Sequence, residues 1–106
     1  MTSAMLTKLL AERGMGWRSG EGRFLVGPKG EWIKDHQFQP LDCVEDVFKL
    51  LRKAANAYSI KCHAEGAFSA TVRIGRCNGT ASGTSEPKTI ALAVARALGI
   101  DVEDVE

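Results

Sequence analysis

The sequence predicts an α+β domain: a four-stranded, mainly antiparallel sheet of two β-hairpins with three helices packed on it, in the order α-β-β-α-β-β-α. Three observations carry that reading. Between Tyr58 and Cys77, two runs of period-two alternation flank a tight turn. A shorter strand, turn and strand occupy Arg23 to Lys34. Three other segments repeat apolar residues at helical spacing. Tight turns inside each hairpin make the strand pairs antiparallel, and helices laid on such a sheet close one core.

Thr2 or Ser3 caps a first helix running to about Arg13, with Met5, Leu6, Leu9 and Leu10 on one side and Lys8 and Glu12 on the other. Gly14 and Gly16 end it, and the glycine-rich stretch Met15 to Gly22 reads as a loop holding Trp17 against the body. Arg23-Phe24-Leu25-Val26 and Glu31-Trp32-Ile33-Lys34 then form the first hairpin around Gly27-Pro28-Lys29-Gly30, with proline and glycine at the positions a turn favours. Phe38 is expected in the core. Asp42 and Glu45 form a capping-box-like start to a second helix, whose apolar side is Leu41, Val44, Val47, Phe48 and Leu51.

In the second hairpin Ile60, Cys62 and Ala64 alternate with Lys61, His63 and Glu65; Phe68, Ala70, Val72 and Ile74 alternate with Ser69, Thr71, Arg73 and Gly75. Gly66 supplies the positive φ of the turn. Asn78 to Glu86, rich in Gly, Ser and Thr, reads as a nine-residue loop. Thr84 or Ser85 starts the last helix, with Pro87 in its first turn, a stripe of Ile90, Ala91, Val94, Ala97 and Leu98, and Gly99 as its stop. Residues 1–100 make one α/β sandwich domain and 101–106 an acidic tail.

At 106 residues the chain suffices for one core. Its 44% hydrophobic and 25% charged content is that of a globular protein. The net charge of +1 gives no overall pull toward nucleic acid or membrane. It is unevenly spread: twelve Lys/Arg against eight Asp/Glu up to Thr80, then two against five. Three cysteines without a CxxC spacing suit free thiols in a reducing cytoplasm. No signal peptide or membrane-spanning stretch is visible.

Each chemical constellation has a plainer structural reading beside it. Cys62 and His63, as strand neighbours, point to opposite faces and make a poor zinc-ligand pair; Cys43, Cys77 and His36 lie elsewhere. Cys77 and His63, with Glu65 beyond, form a conceivable nucleophile and base on the polar face of the hairpin, and a solvated face is the simpler account. Gly75 to Ser85 follows a strand and precedes a helix, but lacks both phosphate-loop spacings. No catalytic residue, cofactor or metal is therefore assigned. Lys61, Arg73 and Arg76 share or border one sheet region, with Arg18, Arg23 and Lys34 nearby; Trp17 and Trp32 are the aromatics that could accompany them.

Leu9-Leu10-Ala11-Glu12 leading into Met15-Gly16-Trp17, Gly30-Glu31-Trp32, Phe38-Gln39-Pro40-Leu41, Tyr58-Ser59-Ile60 and Ser85-Glu86-Pro87 form a set of landmarks. With these the chain resembles the phage α/β/α sandwich domain family, small phage and prophage proteins with no established biochemical activity. The resemblance implies phage origin, a bacterial host cytoplasm and helices on both sheet faces, and supplies no site residues. It points to a non-enzymatic accessory protein that binds an unidentified host protein, as an inhibitor of a defence or regulatory component in the manner of anti-CRISPR proteins. The contact residues expected are Trp17, Arg18, Trp32, Lys61, Arg73 and Arg76. The alternative is a small nucleic-acid-binding module using the basic face of the second hairpin. An uncovered edge strand at Phe24-Leu25-Val26 would also invite homodimer formation.

Overall fold

The computed structural model describes residues 2–26, 30–100 and 102. Thr2 caps the first helix, α1 (Ser3–Leu9), its Oγ1 accepting from the Met5 N–H at 3.2 Å. The helix then widens into a π-helical turn over Leu10–Gly14, and the Met15 N–H reaches back to the Leu10 carbonyl. Gly14 explains this local geometry in part: a Cβ there would meet the Leu50 side chain at 2.5 Å, so the turn seats directly on the second helix. Leu6, Leu10 and Ala11 point inward, whereas Met5 is exposed.

Two three-stranded antiparallel sheets follow, which overturns the expected single sheet of four strands. The first has the order β1 (Arg18–Gly20), β2 (Arg23–Leu25), β3 (Trp32–Lys34). Its extra strand comes from the stretch expected to be a loop. Gly22, at φ 67°, lets Glu21-Gly22 turn the chain, so that Ser19 pairs with Phe24 and Gly20 with Arg23. Phe24-Leu25 is thereby the centre of a sheet and not an open edge, which removes the expected pairing site at Phe24-Leu25-Val26. Of the expected turn Gly27 to Gly30 between β2 and β3, residues 27–29 lie outside the described residues, and Gly30 has a φ of 81°.

A short 3₁₀ turn (Asp35–Gln37) leads to α2 (Val44–Ala54). Asp42 does not cap it; Asp46 instead reaches back, its Oδ2 accepting from the Gln39 N–H at 2.8 Å. Its buried residues are Val47, Leu50 and Leu51, so the apolar side is rotated away from Val44, which is exposed.

The second sheet has the order β4 (Ala57–Cys62), β5 (Phe68–Ile74), β6 (Cys77–Gly83). The β4–β5 hairpin turns at Gly66, φ 78°. The strand β6 replaces most of the expected loop. Gly75, at φ 63°, and Arg76 form its two-residue hairpin turn, and Ile74 pairs with Cys77. Gly79, Ala81 and Gly83 then face inward, while Asn78, Thr80 and Ser82 face out. A strand so poor in large side chains is stable because α3 (Glu86–Ala97) lies almost on its backbone.

That helix is the centre of the molecule. One side packs on β5 and β6, and the other on α2 and the π-helical turn. Seven of its residues are buried, among them Ala91, Ala93, Ala95 and Ala97. The main core joins them to Leu6, Leu10, Val47, Leu50, Leu51, Ala70 and Val72, and it also takes up Ile100 and Val102. The rest of the acidic tail, residues 101 and 103–106, lies outside the described residues. A second, aromatic core of Ala11, Phe24 and Phe38 sits beneath the first sheet. The implied helices on both sheet faces do not match the second sheet, where the inward side of β5 and β6 is buried and the other side is open.

Candidate functional site

Strand register sorts the expected contact residues onto two separate faces. On the first sheet Ser19, Phe24 and Ile33 lie across from one another and face the aromatic core. The opposite side therefore holds two rows, Arg18–Leu25–Trp32 and Gly20–Arg23–Lys34. Five of these six residues are exposed, three are basic and none is acidic.

Trp32 is 44% exposed on that face. Its ring reaches diagonally over β2 to Gly20, where a Cβ would stand 3.0 Å from it, and the Arg23 guanidinium lies 4.3 Å from its centre. The missing side chain of Gly20 makes room for the ring, and the cation–π contact holds it, at about 0.5–1 kcal/mol for an exposed pair. Trp17 is different. It packs edge-on against Phe38, with ring centres 5.0 Å apart, and tilted against Phe24 at 6.0 Å. Half-buried, it packs on the aromatic core and also lines a cavity of about 780 Å³. Arg18, Leu25, Val26 and Lys53 line the same cavity. Lys53, on α2, is a further basic contributor, from outside the sheet.

The second sheet's open side is a grid of three rows: Ala57–Arg73–Asn78, Ser59–Thr71–Thr80 and Lys61–Ser69–Ser82. Lys61 and Arg73 are thus on one face, at opposite ends of it, roughly 13 Å apart along the strands. Arg76 is exposed in the β5–β6 turn beyond Arg73. Arg73 donates from Nε to the Gly75 carbonyl at 3.3 Å, which ties it to the same turn. Ser59, Thr71, Asn78, Thr80 and Ser82 complete a polar surface without a carboxylate. Alternation of Ser, Thr and Asn with Gly and Ala was the signal for β6 and for this grid.

The conceivable pairing of Cys77 with His63 is not formed. His63 joins the Ser69 hydroxyl at 3.0 Å through Nε2, at the Phe68 end of β5. Cys77 lies opposite Ile74 at the other end. Cys62 and His63 diverge, and Cys62 Sγ approaches only the His63 carbonyl, at 3.8 Å. Among the described residues no three His, Cys, Asp or Glu side chains converge as metal ligands. Nor is any helix among them long and apolar enough to cross a membrane.

No family model matches the chain, and no curated protein matches it in sequence. Among solved structures, the crystal structure of a phage protein from Bacillus cereus ATCC 14579 superimposes on it with a TM-score of 0.78. The match covers 97% of this chain and 93% of that one, at 10% sequence identity. The two chains share a fold.

Proposed function

We propose that the protein is a phage- or prophage-encoded accessory protein that acts by binding and not by catalysis. Its binding surface is the outer face of the first sheet, and its partner is an acidic surface of a host protein, such as a defence or regulatory component. One observation carries this reading: Trp32 is exposed on a face whose charged neighbours, Arg18, Arg23 and Lys34, are all basic. Trp and Arg are enriched among the residues that dominate the energetics of protein interfaces, each bringing a large flat surface with a polar tip. The cavity beside Arg18, walled by Trp17 and Lys53, offers a socket for a projecting partner side chain. Phage origin is supported by the shared fold with the Bacillus cereus phage protein and stands as analogy.

A second reading is favoured by the same face. Basic side chains around an exposed aromatic ring are also what a single-stranded nucleic acid needs, for phosphate contact and base stacking. The carboxylate-free grid of the second sheet, with Lys61 and Arg73, would extend such a track.

Affinity capture from bacterial host lysate, with and without nuclease and at low and high salt, separates the two. The protein-binding reading expects one host protein that survives nuclease and is lost from the Trp32→Ala variant. Material that disappears with nuclease, and whose retention collapses as salt rises, moves the assignment to nucleic acid. Capture unaffected by Trp32→Ala in either case removes the first sheet as the site.

A further inference from the structure

The two ends of the second sheet are treated unequally. At the β6 edge, Arg96 reaches from α3 to the Thr80 carbonyl at 2.6 Å and occupies an edge acceptor. The β4 edge has no such cover among the described residues. It is six residues long, twice the length of any strand in the first sheet, and contains neither proline nor glycine. Its register leaves half of its backbone groups facing outward. His63 donates to the Ala67 carbonyl at 2.7 Å, so by the antiparallel alternation the odd residues bond to β5 and the even ones, Tyr58, Ile60 and Cys62, turn their N–H and C=O groups to the open edge.

The same three residues put apolar side chains on the helix side of the sheet, where α3 does not fully reach them. Tyr58 is 48% exposed, Cys62 is exposed and Ile60 is half-buried. On α2, Phe48 meets Tyr58 edge-on at 6.4 Å between ring centres. Val44, 42% exposed, stands one turn before Phe48 on the same side of that helix. Two of the four exposed large hydrophobic residues among the described residues, Val44 and Tyr58, thus belong to this margin. Natural sheets protect open edges with charged side chains, inward charges, bulges or proline; β4 has a single charge and no proline. Here the one charge of the strand, Lys61, is on the polar side.

We infer that a second copy of this chain pairs along β4, antiparallel, with the two-fold axis at Ile60. The strand is complementary to itself in that register. Ile60 faces Ile60 of the second copy, Tyr58 faces its Cys62, and Lys61 faces its Ser59. All three outward-facing residues then meet outward-facing residues and exchange N–H···O bonds. Moving the axis to Lys61 sets two like charges directly opposite, which is destabilising. Moving it to Ser59 leaves Cys62 without an apolar partner inside the strand. The result is one continuous six-stranded sheet, with the Val44–Phe48 sides of both α2 helices flanking the seam. The inference does not depend on which face binds a partner.

Sedimentation equilibrium of the full chain tests it, together with a cross-link that reads the register. The expected mass is twice 11.5 kDa, and Ile60→Lys weakens association by roughly tenfold or more, since it places two ammonium groups at the axis. In a background with Cys43→Ser and Cys77→Ser, Tyr58→Cys is expected to form a covalent dimer with Cys62 under mild oxidant. Hydrogen-bonded antiparallel pairs hold Cα atoms about 5.5 Å apart, within the span of a disulfide. Cys62 alone is expected to form none, being about 13 Å from its counterpart. A monomeric mass over the whole soluble range overturns the inference. So does a dimer indifferent to Ile60→Lys, or a Cys62–Cys62 link in place of the 58–62 link. If Ile60→Lys does not fold, the cross-link decides.

Discussion

Gly79 and Gly66 are both needed, for opposite physical reasons. A Cβ on Gly79 would run into the Ala93 carbonyl and the Ala97 backbone of α3, whereas one on Gly66 would meet nothing within 4 Å. At Gly66 the constraint is the φ of 78°, which costs an L-residue about 1–2 kcal/mol. At Gly79 the obstacle is backbone, which no rotamer change relieves, so the cost falls at the upper end of the about 1–3 kcal/mol that overpacking brings. Gly79→Ala is therefore expected to lower the free energy of denaturant unfolding clearly more than Gly66→Ala. Equal effects would mean that α3 and β6 are not in backbone contact. The same scale separates the tryptophans. Trp17 follows Gly16 and is drawn inward by Phe38 and Phe24, while Trp32 is kept outside by register, opposite Leu25 on the side away from Phe24.

The elements differ in how firmly they are held. Thr89 to Ala97 of α3 is enclosed by a sheet on one side and helices on the other, with seven buried residues. The strands of the first sheet are three residues each, and Phe24 is their only fully buried member. Native-state hydrogen exchange should show the α3 amides opening only with global unfolding, and the β1–β3 amides opening locally at several kcal/mol less. Protection of Gly20 or Ile33, whose N–H groups face β2, equal to that of Val94 would contradict this. The contrast also explains what the sequence revealed. Helices and the β4–β5 hairpin announce themselves through large apolar residues at period 3.6 or 2. The strands β1 and β6 do not, because Gly20, Gly79 and Gly83 carry no side chain where a strand pattern expects one. Glycines in such a stretch suggest a loop, yet each of these makes room: Gly20 for Trp32, Gly79 and Gly83 for α3. Two additional strands convert one four-stranded sheet into two of three. The edge available for pairing moves from Phe24-Leu25-Val26 to β4 as a consequence.

For the molecule as a whole, the candidate contact residues were legible as residue types, but their division between two faces was not. That division follows from pairing between β1, β2 and β3, and β1 was unseen. It makes function separable from stability. Arg18 and Lys34 lie on the first open face, Lys61 and Arg73 on the second, and all four are exposed. Reversing either pair, as Arg18→Glu with Lys34→Glu or Lys61→Glu with Arg73→Glu, is expected to leave unfolding free energy within roughly 0.5 kcal/mol per site. Charges at the rim of an interface act chiefly on association rate and its salt dependence. Against the captured host partner, the first double variant should therefore slow association strongly and flatten its response to salt, because those charges surround Trp32. The second should change it little. The reverse ranking would place the binding surface on the Ser/Thr grid of the second sheet. Loss from both variants together would describe a partner that wraps across the two faces, as a flexible nucleic-acid strand does.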